Sequence, residues 1–154
     1  MAQLAKRWWV FDWGNTLITR GQAESMLGAH ELLSALSPHV HIAVVNDTPL
    51  MSADMLREVL DKAHLGTLIN RVLTADELRL NKADPAFITS LCRVLNTTPA
   101  QVTWVGDDWT IDIAPARQVG VRSLWINQEQ DDADYTDLLS VYEALPDLEE
   151  AREA

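Results

Sequence analysis

The 154-residue chain lacks the groups that mark several large classes of protein. Its single cysteine, Cys92, excludes an internal disulfide and a cysteine-based zinc site. Lysine and arginine total 12 against 23 aspartates and glutamates, a formal charge of −11. So few cations argue against nucleic acid and anionic membranes as partners, since both are recognised through Lys/Arg clusters. The shortage does not exclude a phosphorylated ligand, because a metal ion and local dipoles can supply positive field. Long apolar runs are missing too, and no stretch approaches the ~20 residues of a membrane span. Lys6-Arg7 followed by WWVF imitates a secretion signal, but Asp12 ends the apolar run far too early. A cytoplasmic protein is expected. His30, His39, His41 and His64 show no metal-ligand spacing and are assigned no chemistry.

What is present is ordinary globular material, 47% hydrophobic and 23% charged. A chain of this length suits one domain, 1–154, able to bury roughly two-thirds of its unfolded surface. The organising stretch is VFDWGNTLI. Trp8 to Phe11 form a short apolar run of the kind found in a buried parallel strand. Asp12 ends it, and Gly14, Asn15 and Thr16 follow as turn formers. Further strands are predicted at 41–46, 71–75, 102–106 and 121–127. Helices are predicted over Ala23–Leu36, after Thr48-Pro49 with Gly66 beyond the helix end, after Asp84-Pro85 and from Asp112 to Val119. Cys92 falls on the apolar face of the third and reads as a small buried hydrophobe. An acidic tail, about 128–154, looks helical from Tyr135 to Leu145, with 146–154 expected to fray.

Strands alternating with helices predict a three-layer α/β/α sandwich on a Rossmann-like, mainly parallel sheet. In such sheets ligands bind at the carboxyl ends of the strands. Four polar features fall there: Asp12, Asn46-Asp47-Thr48, the Lys82 region, and Asp107-Asp108 with Asp112.

In this order they resemble the haloacid dehalogenase-like superfamily from about Trp8 to Asn127. FDWGNTL is similar to its first motif, VVND to the second, NKADPAFI to the third and VGDDWTID to the fourth. The resemblance implies a phosphatase in which Asp12 is the nucleophile and forms an aspartyl phosphate. It further implies Mg2+ held by Asp12, the Gly14 backbone carbonyl, Asp107 and Asp112. Lys82 would balance the charge, and Asn46, aided by the helix start after Thr48, would bind the substrate with Thr16. Bland roles stand beside these: Asp112 as a helix cap, Lys82 as a solvated lysine, Asp108 as a loop residue. Trp13 and Trp109 read either as an aromatic rim or as packing, and Trp104 and Trp125 as core.

The second motif has Asn-Asp-Thr where Thr-Asn or Ser-Asn is commoner, the third has Lys-Ala-Asp-Pro for Lys-Pro-Asp-Pro with the lysine intact, and the departure that matters most is in the first. Where phosphatases of this superfamily carry a second aspartate as proton shuttle, this chain has Gly14. The metal site survives that change and the general acid does not, a loss of about 10²–10⁴-fold. Leaving groups that need no proton, recruitment of Asp47 or Asp108, or a branch lacking the acid are the explanations for an enzyme. The alternative is a catalytically impaired module that binds a phosphorylated ligand or a protein. The segment from Asp12 to Asn46 holds a loop, a helix and a strand, leaving no room for a cap domain. A homo-oligomer covering the capless site is then a reasonable partner arrangement. A receiver domain, which needs its acidic pair at the first strand, fits poorly.

Overall fold

The computed structural model describes residues 7–19, 24–46, 51–82 and 84–153. Five strands form one sheet: β1 (Trp8–Asp12), β2 (His41–Asn46), β3 (Arg71–Thr74), β4 (Val102–Gly106) and β5 (Arg122–Trp125). Their order is β3-β2-β1-β4-β5, and every neighbouring pair is parallel. The chain winds outward from β1 in one direction through β2 and β3, then returns to pair β4 on the other side of β1. That reversal puts a topological switch point at the carboxyl end of β1, where Asp12 stands.

Alternation along β1 sorts its side chains between two cores. Trp9 and Phe11 join Leu32, Leu33, Leu60, Leu138 and Val141, which belong to α1 (Ala29–Leu36), α2 (Ala53–Lys62) and α6 (Leu138–Glu153). Trp8 and Val10 face the other way, toward Leu78 of α3 (Ala75–Leu78), Phe87 and Leu91 of α4 (Ala86–Val94), and Ala116 of α5 (Ala114–Gln118). The expected three layers result. Among the described residues no helix is long and apolar enough to cross a membrane.

Several boundaries differ from the sequence reading, each for a local reason. The helix expected from Ala23 begins at Ala29, because Met26 N–H bonds to Leu17 O (2.7 Å) and Thr19 N–H to Glu24 O (2.8 Å). Residues 24–26 thus pair with the loop after β1 instead of coiling. Thr48-Pro49 lies outside the described residues, and the described helix starts at Ala53, capped by Ser52 Oγ accepting from Met55 N–H (3.2 Å). His64, at φ 62°, rather than Gly66, takes the left-handed position after α2. The tail does not fray at residue 146. It continues as α6 to Glu153 with Pro146 inside, and Leu138 and Val141 are buried in the core.

Two interactions dock α6. At the amino end of the sheet Arg7 pairs with Glu149, and Arg122 donates to Leu148 O (2.9 Å) while lying 5.4 Å from the Trp9 ring centre. At the other end Gly28, with φ 84°, lets the helix backbone approach so closely that a Cβ would sit 2.1 Å from Leu139 N. Gly28→Ala is therefore expected to lower stability in urea by about 2 kcal/mol or more, combining backbone strain with overpacking. Gly120 also has positive φ (82°), but nothing lies within 4 Å of its would-be Cβ. Gly120→Ala should cost only about 1 kcal/mol, the strain alone.

Candidate active site

The carboxyl edge of β1 and β4 opens into a cleft of about 400 Å3 lined by Asp12, Trp13, Gly14, Asn46, Met51, Lys82, Asp107, Asp108, Ile111 and Asp112. Every strand-end residue singled out from the sequence, apart from Thr16 and the undescribed Asp47 and Thr48, is therefore brought to one place. Asp12 ends β1 and is 6% exposed. Asn46 ends β2, buried, in register with Thr74 of β3. Lys82, from the loop before α4, is only 5% exposed, which excludes a solvated lysine. Its Nζ donates to Asp12 Oδ1 and lies 3.2 Å from Asp112 Oδ1 and 5.9 Å from the Trp104 ring centre.

Asp112 reaches this cluster through an unusual turn. The expected helix from Asp112 starts earlier, as a π-helical turn over Trp109–Ile113 that runs into α5. Asp108 is the cap: its Oδ1 accepts from Ile111 N–H (3.0 Å) and its N–H donates to Asp112 Oδ2 (3.3 Å). Asp112 is therefore not a cap, and its side chain turns inward to 3% exposure. Gly106 makes the space, since a Cβ there would stand 2.6 Å from Asp112 Cβ and Oδ2. Single π turns of this kind are often found at functional sites.

Asp107 is held from β5. Its carbonyl accepts from Trp125 Nε1–H (3.1 Å) and Asn127 Nδ2–H (3.3 Å). Trp104 is core as expected, but Trp125 is half-buried and uses its indole N–H in this contact. Nothing in the strand pattern marks that role. Trp13 both lines the cleft and packs against the core beside α1. Trp109 lies outside the cleft lining, tilted against Trp125 (5.1 Å) with Arg117 over its face (5.1 Å). The apolar rim comes instead from Ile111 and Met51, whose place depends on the π turn and on the segment before α2. Thr16 lines a neighbouring cavity, its buried hydroxyl without a partner. Gly14 lies in the cleft wall, bridged to Ile18, where Leu17 and Ile18 N–H both point to Trp13 O.

Oxygens of Asp12, Asp107 and Asp112 all lie within 4.8 Å of one another. Among the described residues lining the cleft, Lys82 is the one cation facing them. Asp112 Oδ1 is buried, and the Lys82 ammonium 3.2 Å away is its ion-pair partner. Burial first, and then the negative charge of Asp12, push the Asp112 carboxyl up to about 7, against the opposing pull of Lys82. Clustered hard oxygen donors and three carboxylates against one ammonium fit a small divalent cation such as Mg2+.

The raised Asp112 value has a definite sign. Folding takes up a proton at this carboxyl, so its cost is absent below about pH 4 and grows as pH rises toward 7. In EDTA, the melting temperature of the wild type should fall across that window. Asp112→Asn should flatten the fall and melt higher by about 5 °C above pH 7, because 1 kcal/mol moves a domain of this size by about 2–4 °C. Parallel wild-type and variant curves would contradict a strained carboxylate.

Comparison with known proteins places the chain in a family. A phosphoserine phosphatase from Thermus thermophilus is 31% identical over 75 residues, 49% of this chain and 30% of that enzyme. An N-acetylmuramic acid 6-phosphate phosphatase from Pseudomonas putida is 32% identical over 80 residues, 52% of this chain and 34% of that enzyme. The matched stretch thus spans about a third of either relative. A HAD-superfamily hydrolase from Ehrlichia chaffeensis superimposes with a TM-score of 0.71 at 15% identity, over 95% of this chain and 99% of that one, a likeness of fold. The family model for haloacid dehalogenase-like hydrolases matches residues 10–126, from within β1 through β5 and with the whole carboxylate cluster inside the span, and the chain belongs to that family.

Proposed function

We propose that the chain is a magnesium-dependent phosphohydrolase that works through Asp12. The observation that carries this reading is the buried cluster at the switch point: Asp12 bonded to Lys82, with oxygens of Asp107 and Asp112 close enough to share an ion with it. A phosphoryl centre is screened by its own oxygens, and an anionic nucleophile approaches it only when positive charge offsets theirs. Asp12, Asp107, Asp112 and the Gly14 carbonyl would hold Mg2+, which supplies that charge when bound. Lys82 adds a fixed positive charge and orients Asp12 from the Oδ1 side, leaving its other oxygen for attack. Asn46 donates to a phosphate oxygen. The Asp12 oxygen forms a bond to phosphorus as the ester oxygen departs with its electron pair, and water then hydrolyses the aspartyl phosphate. The two phosphatase relatives support the reaction class.

Gly14 sets the substrate limits. It brings no side chain to protonate the departing oxygen, so aryl and acyl phosphates, which leave as stable anions, are favoured over alkyl esters. Ile111 and Met51 at the rim suit an apolar leaving group. Among the described residues, α1 is the one helix between β1 and β2, and α2 with a 3₁₀ turn at Gly66–Leu68 fills the way to β3. We take the protein as capless, with a second copy able to cover the cleft. Gly14 equally favours a second reading, a module that binds phosphorylated ligands without turnover.

Hydrolysis of an aryl and an alkyl phosphate separates these. Wild type should cleave the aryl ester in Mg2+ and not in EDTA, and Asp12→Asn should abolish this. Gly14→Asp should raise alkyl turnover by about 10²-fold. No turnover by either wild type or Gly14→Asp would leave the binding module. Independently of turnover, Mg2+ at 100 times its dissociation constant should stabilise the wild type by about 2.7 kcal/mol. Asp107→Asn and Asp112→Asn should lose that gain. Asn46→Ala should raise KM by about ten- to hundredfold, the worth of a hydrogen bond to a charged group.

A further inference from the structure

The parallel ladder between β4 and β5 ends at the Gly106–Trp125 pair, where Ile126 N–H donates to Gly106 O (2.9 Å). Asp107 is the next residue, so its carbonyl lies past the last ladder bond. Position 106 must be glycine to admit Asp112, and a glycine leaves the peptide that follows it loosely restrained. The direction in which Asp107 presents its carboxylate therefore depends on bonds from outside the ladder. Two side chains of the β5 end supply them: Trp125 Nε1–H (3.1 Å) and Asn127 Nδ2–H (3.3 Å) both donate to the Asp107 carbonyl.

Trp125 is itself firmly held. Its backbone N–H donates to Asp134 Oδ2 (2.9 Å), which also accepts from Arg117 Nη2 (2.7 Å), and its carbonyl accepts from Tyr135 N–H (3.1 Å). Its ring lies 5.1 Å from that of Trp109, a residue of the π turn that carries Asp112, and Arg117 covers the Trp109 face. One indole thus joins the peptide of Asp107 to the turn of Asp112, whereas Asp12 is held separately by Lys82. Packing alone does not account for the donor. The buried Trp8, Trp9 and Trp104 fill the cores with indole N–H groups that have no partner among the described residues, while the half-buried Trp125 directs its own at the Asp107 carbonyl.

We propose that Trp125 is a positioning residue for the ion site, fixing where Asp107 stands relative to Asp112 through its indole N–H and its contact with Trp109. The inference rests on the metal reading above and deepens it. Trp125 does not line the cleft and acts through Asp107. Mg2+ demands near-ideal octahedral geometry, so a small drift of one carboxylate weakens binding. Groups that orient ligands without touching the metal typically contribute about 10–100-fold to its affinity.

Isothermal titration of the whole chain with MgCl2 tests this. Trp125→Phe keeps a ring against Trp109 and removes the donor, and it should weaken Mg2+ about tenfold. Asn127→Ala, which removes the other donor, should weaken it in the same direction. Tyr142→Phe, at an exposed position on α6, should leave it unchanged. A merely structural indole would give a different pattern: the Trp125→Phe melting temperature would fall by the same amount in EDTA and in saturating MgCl2, with the affinity intact. A measurement on the wild type serves should Trp125→Phe fail to fold. The indole N–H signal of Trp125 in a 15N-correlated NMR spectrum should shift saturably with MgCl2, while that of Trp8, at the far end of β1, stays in place. Unchanged Mg2+ affinity in Trp125→Phe, an equal loss in Tyr142→Phe, or a Trp125 signal indifferent to Mg2+ that binds would each overturn the inference and leave the metal site standing. A wild type that takes up no Mg2+ would sink the metal reading and this inference with it.

Discussion

The carboxyl edge of the sheet depends on the balance between one buried ammonium and three carboxylates. Lys82 is more buried than Asp12 and nearly as buried as Asp112, and it touches both. Burying a carboxylate alone is costly enough that it protonates instead, and Asp112 is already pushed toward that state. Lys82 keeps the cluster together without satisfying it. What remains is an excess of negative charge and a cleft open beside it. The fold tolerates this because the rest of the edge is rigid: β1 and β4 are hydrogen-bonded neighbours, and β5 fixes the Asp107 carbonyl twice.

Much of this was legible in the sequence, because the strands are short apolar runs that stop at polar residues. Asp12, Asn46 and Asp107 needed only the location of a strand end, whereas Lys82 and Asp112 were marked by the resemblance of NKADPAFI and VGDDWTID to the family's third and fourth motifs. The elements misplaced were those whose boundaries depend on contacts made across the chain. Residues 23–28 continue the helical periodicity of α1, yet Met26 is claimed by Leu17, and Gly28 turns left-handed under α6. The π turn inserts one residue that no 3.6-residue pattern announces, and it moved the cap from Asp112 to Asp108 and brought Ile111 to the cleft. Trp125 is apolar by composition and was counted as core; its indole N–H matters only once Asp107 lies beside it. Thr16 sits in the right motif, but the left-handed Asn15 before it (φ 60°) is where the chain turns toward the neighbouring cavity.

Gly14 illustrates how a site can lose one function and keep another. A backbone carbonyl is present whatever the side chain, so removing a carboxylate leaves a possible metal ligand in place while deleting a proton donor. The turn itself is held by main-chain bonds from Leu17 and Ile18 to Trp13 O, which are indifferent to the side chain at position 14.

The parity of β1 has a consequence for how this chain can change. Trp9 and Phe11 lie in one core, Trp8 and Val10 in the other, and Asp12 follows on the side of the latter pair. Losing or gaining a single residue between Trp8 and Asp12 would exchange the two sets and present the carboxylate to the wrong face. The exposed turn over 130–132 carries no such parity. Insertions and deletions that survive in descendants of this sequence should therefore accumulate there, while β1 keeps its length even where its residues are replaced.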